Sequence, residues 1–408
     1  MKKKPGDNPD VMFISRRGLL TVWQLVAVAA NSAIGIGTLR LGSAYSTGLI
    51  PTIVINIVIA LFTFYALKFY VWSAAFYHES TYEEIMSVGF SPRMAIISGA
   101  CSILSTFVFL ADYFSFITTH IIELMNQIDT DLPYYITNPY IIGLFLSIIF
   151  FIPVSLSNRL IFVVYISYLE LLCFFIIFLY VVVNFFIRVH TYGFDPNHQF
   201  SFFRLNMGIT DTISTYNYAY VICPFAWPGM RHALEPTVNN MSRMFRNVVI
   251  IAFVSYTLMG LFSYLTFFDE NTGGIILDYY EKDWINFVIS IICVLFILFS
   301  SPLLLNNMGY IILNVIDKTD NFPQGIWAMM GISLVAIVVV ISNLSDNYWV
   351  YISYCGDIFA SFTVYIFPAV FYLRAYGKSC FVHLVGAIAV IIAGLLSVGH
   401  VIYNLATN

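Results

Sequence analysis

Long apolar runs separated by short polar segments make up nearly the whole chain. A membrane-spanning helix takes roughly 20 predominantly apolar residues, and about eleven runs are long enough. The predicted spans cover residues 19–48, 50–72, 93–125, 140–157, 160–187, 211–235, 246–268, 284–316, 323–342, 346–373 and 379–403. This pattern predicts an all-α integral membrane protein with one membrane domain, residues 19–403. A short polar leader (1–18) precedes the domain, and a short tail (404–408) follows it.

A polar segment, residues 78–91, lies between the second and third spans and contains Glu79, Glu83 and Glu84. It predicts either a short helix at the membrane interface or a plain connecting loop.

The first span is interrupted between Asn31 and Gly48, where glycines and small polar residues replace large apolar ones. Gly35 and Gly37 lie one residue apart, and each glycine weakens a helix. A helix opens inside a membrane only where its freed amides and carbonyls face protein, a cavity or a ligand. We therefore expect this opening to hold a substrate.

The sixth span carries a second interruption between Val221 and Gly229, where Pro224, Pro228 and Gly229 disrupt helical hydrogen bonding. The two interruptions lie five helices apart. Interrupted helices at corresponding positions of two halves indicate a transporter whose binding site is built from inverted repeats.

Lysine and arginine are distributed unevenly across the predicted loops. If the leader is cytoplasmic, only Arg188, Arg204 and Lys282 fall on the opposite side, while Arg40 lies in a span. The positive-inside rule then places the N-terminus in the cytoplasm and, for an odd number of spans, the C-terminus outside or in a lumen. This charge pattern is compatible with a plasma membrane and with a vacuolar or lysosomal membrane.

Composition excludes a soluble protein, because 60% of the 408 residues are hydrophobic and only 10% are charged. The six cysteines lie in or beside apolar segments, so they predict neither a disulfide framework nor a metal site. No Gly-x-Ser-x-Gly, HExxH, P-loop or CxxC motif is present. We therefore expect no enzymatic activity, no bound cofactor apart from a coupling ion, and no nucleic-acid partner.

Three stretches resemble the amino acid/auxin permease family of the amino acid-polyamine-organocation superfamily, and its system A/N-type neutral amino acid transporters in particular. The first is Asn31-x-x-x-Gly35-x-Gly37-x-Leu39-x-Leu41-x-x-Ala44-x-x-x-Gly48. The second runs from Phe225 through Pro236 to Met241, and the third is Phe299-Ser300-Ser301-Pro302. The order of the spans follows the family over nearly the whole chain, whereas the motifs cover only these stretches.

The resemblance implies a five-plus-five inverted repeat with broken helices 1 and 6, plus one extra helix. It also implies a substrate site at the two breaks. Backbone amides around Ala33, Ile34, Gly35, Ile36 and Gly37 would meet the substrate carboxylate. Carbonyls of the segment Cys223, Phe225, Ala226 and Trp227 would face its ammonium group. The rings of Phe225 and Trp227 would shape the side-chain pocket, unless they simply pack in the core or face lipid.

The resemblance further implies a coupling ion. Asn31 matches an asparagine associated with sodium coupling, and Ser300 matches a hydroxyl residue of the eighth helix; oxygen ligands suit a hard cation. The alternative is that both side chains only make interhelical hydrogen bonds, worth about 0.6 kcal/mol on average in membranes. Proton coupling is also common in the family, so sodium and protons both stay open.

Four ionisable residues lie within predicted spans, where each is a functional hypothesis because of its energetic cost. Arg40 lies at a position where the family usually has a small residue. In more distant transporters of the same general fold, an arginine one position further along pairs with an acid of the tenth helix as an outer gate, and this resemblance implies such a gate between Arg40 and Asp357. A static buried pair, or Arg40 as receptor for an acidic substrate, are the alternatives. Asp112 and Glu170 are candidate proton-linked carboxylates, unless they merely satisfy neighbouring donors.

Together these features predict a secondary active transporter, a symporter of small neutral amino acids that works by alternating access on a sodium or proton gradient. The alternative is a membrane amino acid sensor with little flux. A long cytoplasmic arm would favour the sensor, and a leader of this length favours the transporter.

Overall fold

The computed structural model describes residues 18–128, 132–155, 160–194, 200–204, 208–222, 230, 232–268, 280, 283–316, 324–343, 346–377 and 380–407. Within these residues the chain is helical apart from turns and connecting segments. The β-type pairing found there is an isolated bridge between Leu20 and Ala233. The all-α prediction is confirmed for the part of the chain that the structure describes.

The first half of the chain contains two short helices where the first span was predicted, followed by long apolar helices. They are α1 (Val22–Ala33), α2 (Ile36–Leu39), α3 (Leu49–Tyr77), α4 (Tyr82–Gly89), α5 (Pro92–Ile128), α6 (Tyr134–Thr137), α7 (Pro139–Leu146), α8 (Ile152–Ser155) and α9 (Leu160–Tyr192). A 3-10 turn (Ser43–Thr47) follows α2, and a π-helical turn (Ser147–Phe151) joins α7 to α8.

The second half repeats this order of a short helix followed by long ones. Its helices are α10 (Gly208–Ala219), α11 (Val238–Phe267), α12 (Trp284–Ile316), α13 (Gln324–Ser342), α14 (Asp346–Ser361), α15 (Phe367–Tyr376) and α16 (Phe381–Thr407). A second π-helical turn, Phe362–Ile366, joins α14 to α15. Neither π-helical turn was predicted from the sequence.

Eight helical stretches of the described chain are long and apolar enough to cross a membrane. Two shorter apolar helices, Val22–Ala33 and Pro139–Phe151, lie where the first and fourth spans were predicted. The first is short because the span breaks.

Local sequence explains where two helices begin. The Thr21 hydroxyl accepts the backbone N–H of Gln24 (3.4 Å), and the Gln24 side-chain oxygen accepts the N–H of Thr21 (2.9 Å). This capping box starts α1. Thr81 and Glu84 form the same box (3.2 and 3.1 Å) and start α4. Residues 78–91 therefore contain the short helix, which was one of the two predicted alternatives.

The seventh predicted span begins earlier than hydropathy indicates. It was predicted from residue 246, but α11 begins at Val238 because the Thr237 hydroxyl accepts the N–H of Asn240 (3.2 Å). The first turns of α11 are polar, so an apolar-run criterion misses them.

The broken first span lies in the interior of the bundle. Helix α1 packs against α9, α11 and α12, while α5 packs against α12 and α14. One continuous buried apolar cluster extends through these helices. The residues around the first break are therefore surrounded by protein, as an open backbone inside a membrane requires.

Candidate functional site

The first span opens at Ile34 and Gly35. Helix α1 ends at Ala33, and the backbone of Ile34 (φ −92°, ψ 85°) and Gly35 (φ −126°, ψ −155°) is not helical before α2 begins. These φ values suit any residue, so glycine is required at position 35 for space. A Cβ there would lie 2.0 Å from the Tyr113 hydroxyl oxygen. The sequence prediction of a break at this point is correct.

Tyr113 of α5 is part of the break. Its hydroxyl accepts the backbone N–H of Ile36 and lies beside Ser300. The first hydrogen bond of α2 runs from Thr38 N–H to the Gly35 carbonyl (3.0 Å). The N–H groups of Gly35 and Gly37 precede that bond, so they are the orphan donors of a helix start.

The sixth span opens after Ala219. Helix α10 ends there, and Val221 and Ile222 are not helical. The predicted site residues Cys223, Phe225, Ala226 and Trp227 lie outside the described residues.

A single tyrosine joins the two breaks. The Tyr256 hydroxyl of α11 donates to the carbonyl of Ala33 and lies 2.6 Å from the carbonyl oxygen of Ala219. Each of these carbonyls ends a helix, so each lacks its intrahelical partner. Tyr256 is fully buried. The fold therefore brings the two breaks together around one buried hydroxyl.

A small cavity lies between the two breaks. Its lining comes from both breaks and from α5: Ser32, Ala33, Gly35, Gly37, Phe109, Tyr113, Tyr218, Ala219, Val221 and Leu304. The cavity measures about 20 Å³, which is room for about one water molecule. The lining combines small residues with the rings of Phe109, Tyr113 and Tyr218, which form its aromatic wall. An amino acid would fit only after the aromatic wall moves outward.

Asn31, Ser300 and Glu170 form a buried polar cluster beside this cavity. The Ser300 hydroxyl donates to the Asn31 side-chain oxygen (3.5 Å), so the structure brings these two predicted residues together. Glu170 of α9 lies next to both. All three are essentially inaccessible. The Asn31 Nδ2 atom and both Glu170 oxygens have no hydrogen-bond partner within ordinary geometry in the described structure.

This cluster is chemically suited to a hard cation. Four oxygens, two of them from one carboxylate, lie on three packed helices, and hard cations prefer oxygen ligands. Buried polar groups without partners are costly, so a cation or a proton at Glu170 would relieve that cost. Glu170 was predicted from the sequence as a proton-linked carboxylate, apart from Asn31 and Ser300. Only the structure places it beside them.

Arg40 pairs with a different acid from the one predicted. Its Nη1 atom lies 3.8 Å from the Asp112 Oδ2 atom. The Tyr218 hydroxyl donates to the same oxygen at 2.6 Å. Among the described residues the predicted Arg40–Asp357 contact is not formed, which corrects the partner of Arg40. Asp357 instead lines a second cavity, which shares Tyr218 with the central one.

Comparison with known proteins decides what this arrangement belongs to. Residues 19–407 match the family of transmembrane amino acid transporter proteins. The chain belongs to that family. This confirms the resemblance predicted from the sequence. It also confirms the expectation of a membrane transporter rather than an enzyme.

Solved structures show the fold of this transporter. MhsT in complex with L-phenylalanine matches with a TM-score of 0.56 and 12% identity over 94% of this chain and 100% of that one. The nucleobase-cation-symport-1 family transporter MHP1, with bromovinylhydantoin bound, matches with a TM-score of 0.57 and 10% identity over 98% and 95%.

A third match is a Na⁺-coupled sialic acid symporter, with a TM-score of 0.56 and 14% identity over 94% of this chain and 90% of that one. All three share this fold, which confirms the predicted class of a helical membrane transporter built from inverted repeats. The transporter is an integral multi-pass membrane protein that carries out secondary transport of amino acids.

Three residues of this site, Tyr113, Tyr218 and Tyr256, were not predicted from the sequence. The chain contains 28 tyrosines, so residue type gives no signal. One signal was available: a buried hydroxyl needs a partner, and the two breaks supply unpaired backbone groups.

Proposed function

We propose that this transporter moves small neutral amino acids by alternating access, driven by an inward gradient of sodium ions or protons. The observation that supports it most is the cavity between the two helix breaks, which is lined by the backbone segment 32–37 of the first break and by Ala219 and Val221 of the second. A zwitterionic amino acid carries a carboxylate, which accepts from backbone amides, and an ammonium group, which donates to backbone carbonyls. The small volume of the cavity favours a substrate with a short side chain.

Each end of the substrate has an expected partner. The N–H groups near Gly35 and Gly37 would bind the carboxylate, with Ala33, Ile34 and Ile36 completing that backbone segment. The carbonyls of Cys223, Phe225, Ala226 and Trp227 would bind the ammonium group. MhsT, which shares the fold, is in complex with L-phenylalanine, and this supports an amino acid as the substrate.

The coupling ion would bind at Asn31 and Ser300, with Glu170 as a third, charged neighbour. The oxygen-rich composition of this cluster supports a sodium ion, and a buried carboxylate is equally able to carry a proton. A Na⁺-coupled symporter shares the fold. Sodium ions and protons therefore both stay candidates for the coupling ion, and uptake under each gradient distinguishes them.

The gate would be the contact between Tyr218, Asp112 and Arg40. Tyr218 lines the cavity, and its hydroxyl is anchored to Asp112, which also attracts Arg40. Releasing this anchor would let the aromatic wall swing away. Asp357 remains a predicted gate residue that would act in another conformation.

The N-terminus would be cytoplasmic and the C-terminus outside or lumenal, in a plasma membrane or a vacuolar or lysosomal membrane. With this orientation, α2 and Arg40 face the non-cytoplasmic side of the cavity. The uneven distribution of basic residues supports it.

Uptake of radiolabelled neutral amino acids into proteoliposomes tests the proposal, with sodium and proton gradients imposed separately. We expect accumulation under one of these gradients and its collapse when an ionophore removes that gradient. Uptake of none of the common amino acids would refute transport. Binding without uptake would support the alternative, a membrane sensor with little flux.

A further inference from the structure

A second polar cavity lies between α10, the α14–α15 span and α16. Its polar lining consists of Ser214, Asn217, Asp357, Ser361, Tyr365 and Ser397. It measures about 20 Å³, room for about one water molecule. Tyr218 and Val221 line both this cavity and the central one. Apart from Tyr218, none of its polar residues lines the central cavity or belongs to the Asn31–Ser300–Glu170 cluster.

Three helices build a continuous hydrogen-bond network around this cavity. The Tyr365 hydroxyl donates to the Asn217 side-chain oxygen (3.0 Å), and the Asn217 amide donates to the Ser397 hydroxyl oxygen (3.4 Å). The hydroxyl oxygens of Ser397 and Ser361 lie 2.9 Å apart. Tyr365 belongs to the π-helical turn, and such turns are frequent at functional sites. The network holds its oxygens in fixed positions.

Asp357 is the charged member of this cavity. Among the described residues, no lysine, arginine or histidine forms an ion pair with Asp357. Arg40 lies against Asp112 instead. Asp112 and Asp357 are near enough for their charges to repel each other. Arg40 is engaged by Asp112, so Asp357 has no cationic partner among the described residues.

An uncompensated carboxylate at this depth is costly, by about 2.5–3.5 kcal/mol even on the most lenient scale. The cavity offers a counter-charge a place among hydroxyl and amide oxygens. Oxygen ligands with one carboxylate suit a hard cation of low charge. The volume admits a small ion or a water molecule.

We propose that the Asp357 cavity is a binding site for a small alkali cation, sodium or lithium, separate from the Asn31–Ser300–Glu170 cluster. The carboxylate of Asp357 supplies the charge, and the hydroxyl oxygens of Ser361 and Ser397 supply neutral ligands. The site does not depend on amino acid transport, because its ligands Asp357, Ser361 and Ser397 do not line the substrate cavity.

Equilibrium binding of radioactive sodium to the purified full-length transporter in nanodiscs, without amino acid, tests the site. We expect Asp357→Asn to remove about one bound sodium per chain, because ligand charge determines the affinity of such sites. Ser397→Ala keeps the carboxylate and should weaken the same component several-fold. Lithium should compete with sodium at this component, and potassium should compete poorly.

Two comparisons make the result specific. Ser333→Ala is the matched control, since Ser333 is exposed on α13 and its hydroxyl bonds only to the Met329 carbonyl of its own helix (2.8 Å). Asn31→Ala should leave the Asp357-dependent component intact. Identical sodium binding by the parent, Asp357→Asn and Ser397→Ala would overturn the proposal and assign a protonated Asp357. If amino acid uptake fails while this component persists, only the transport proposal falls.

Discussion

Two close contacts at single residues control the central cavity. Gly35 faces the Tyr113 hydroxyl, and Asp112 accepts from Tyr218 while attracting Arg40. Both contacts involve α5. A change of one atom at either place should therefore alter transport without unfolding the bundle.

Gly35→Ala should abolish transport. The added Cβ would lie 2.0 Å from the Tyr113 oxygen, and such a contact forces the buried ring away from the break. Displacing Tyr113 also breaks its bond with the Ile36 amide. Initial uptake rates at equal amounts of reconstituted protein measure the effect. Gly399→Ala is the matched control, because nothing lies within 4 Å of a Cβ there. Parental rates for Gly35→Ala would contradict this explanation.

The Arg40 contact predicts a specific pattern of double mutants. Arg40→Ala and Asp112→Ala should be non-additive in initial uptake rate, with a coupling energy of about 1 kcal/mol, because the side chains contact each other. Arg40→Ala and Asp357→Ala should be close to additive. A larger coupling for the second pair would show that the gate predicted from the sequence forms in another conformation.

Among the elements, the short helix α4 connects more neighbours than its eight residues suggest. The Tyr82 hydroxyl donates to the Thr363 carbonyl in the π-helical turn (2.8 Å). Arg374 Nε of α15 donates to the carbonyl of Gly89 at the other end of α4 (2.9 Å). Helix α4 thus links the connection between α3 and α5 to the π-helical turn and to α15.

Glu83 of α4 should make stability dependent on pH. Burial of the carboxylate raises its pKa from 4.5 to about 7, and the neighbouring Glu84 charge acts in the same direction. Between these values the unfolded chain releases its proton before the folded one does. Stability should therefore fall as pH rises through this range, by roughly 3 kcal/mol for the complete transition.

Thermal melting of the detergent-solubilised transporter across that range measures the effect. Glu83→Gln should flatten the dependence and raise the melting temperature most near neutral pH. Glu235→Gln, at an exposed carboxylate, should leave the parental dependence unchanged. A Glu83→Gln variant with the same slope as the parent would assign the dependence to another group.

At the scale of the whole molecule, the two broken spans meet although their breaks are separated by nearly half of the chain. Tyr256 holds Ala33 and Ala219 together, and the central and Asp357 cavities share Tyr218 in their lining. Helix α16, the helix beyond the five-plus-five repeat, contributes Ser397 to the second cavity. This helix is therefore part of the proposed cation site.

The proposed orientation predicts which chain end is reachable. With a cysteine placed at either end of a cysteine-free parent, Thr407→Cys should react with a membrane-impermeant maleimide in sealed cells. Lys3→Cys should react only after permeabilisation, because the basic leader is retained in the cytoplasm. In an intracellular membrane the same contrast applies to sealed, cytoplasmic-side-out vesicles with the two results exchanged. Protection of Thr407→Cys in sealed cells with surface expression would reverse the orientation.

The sequence by itself determined the helical membrane architecture, the family and the location of both breaks. Hydropathy, glycine and proline act through neighbouring residues, and a membrane tolerates few alternatives to a closed helix. Hydropathy did not predict the start of α11 at Val238 or the two π-helical turns. Helix capping and a local change of helical pitch hardly alter the hydropathy pattern.

Only the tertiary structure decided which distant residues meet. Arg40 contacts Asp112 rather than Asp357, and Glu170 joins Asn31 and Ser300. Which acid an arginine reaches depends on how helices far apart in the chain pack and rotate. That arrangement results from the sum of many weak contacts across the whole bundle, so no single stretch of sequence records it.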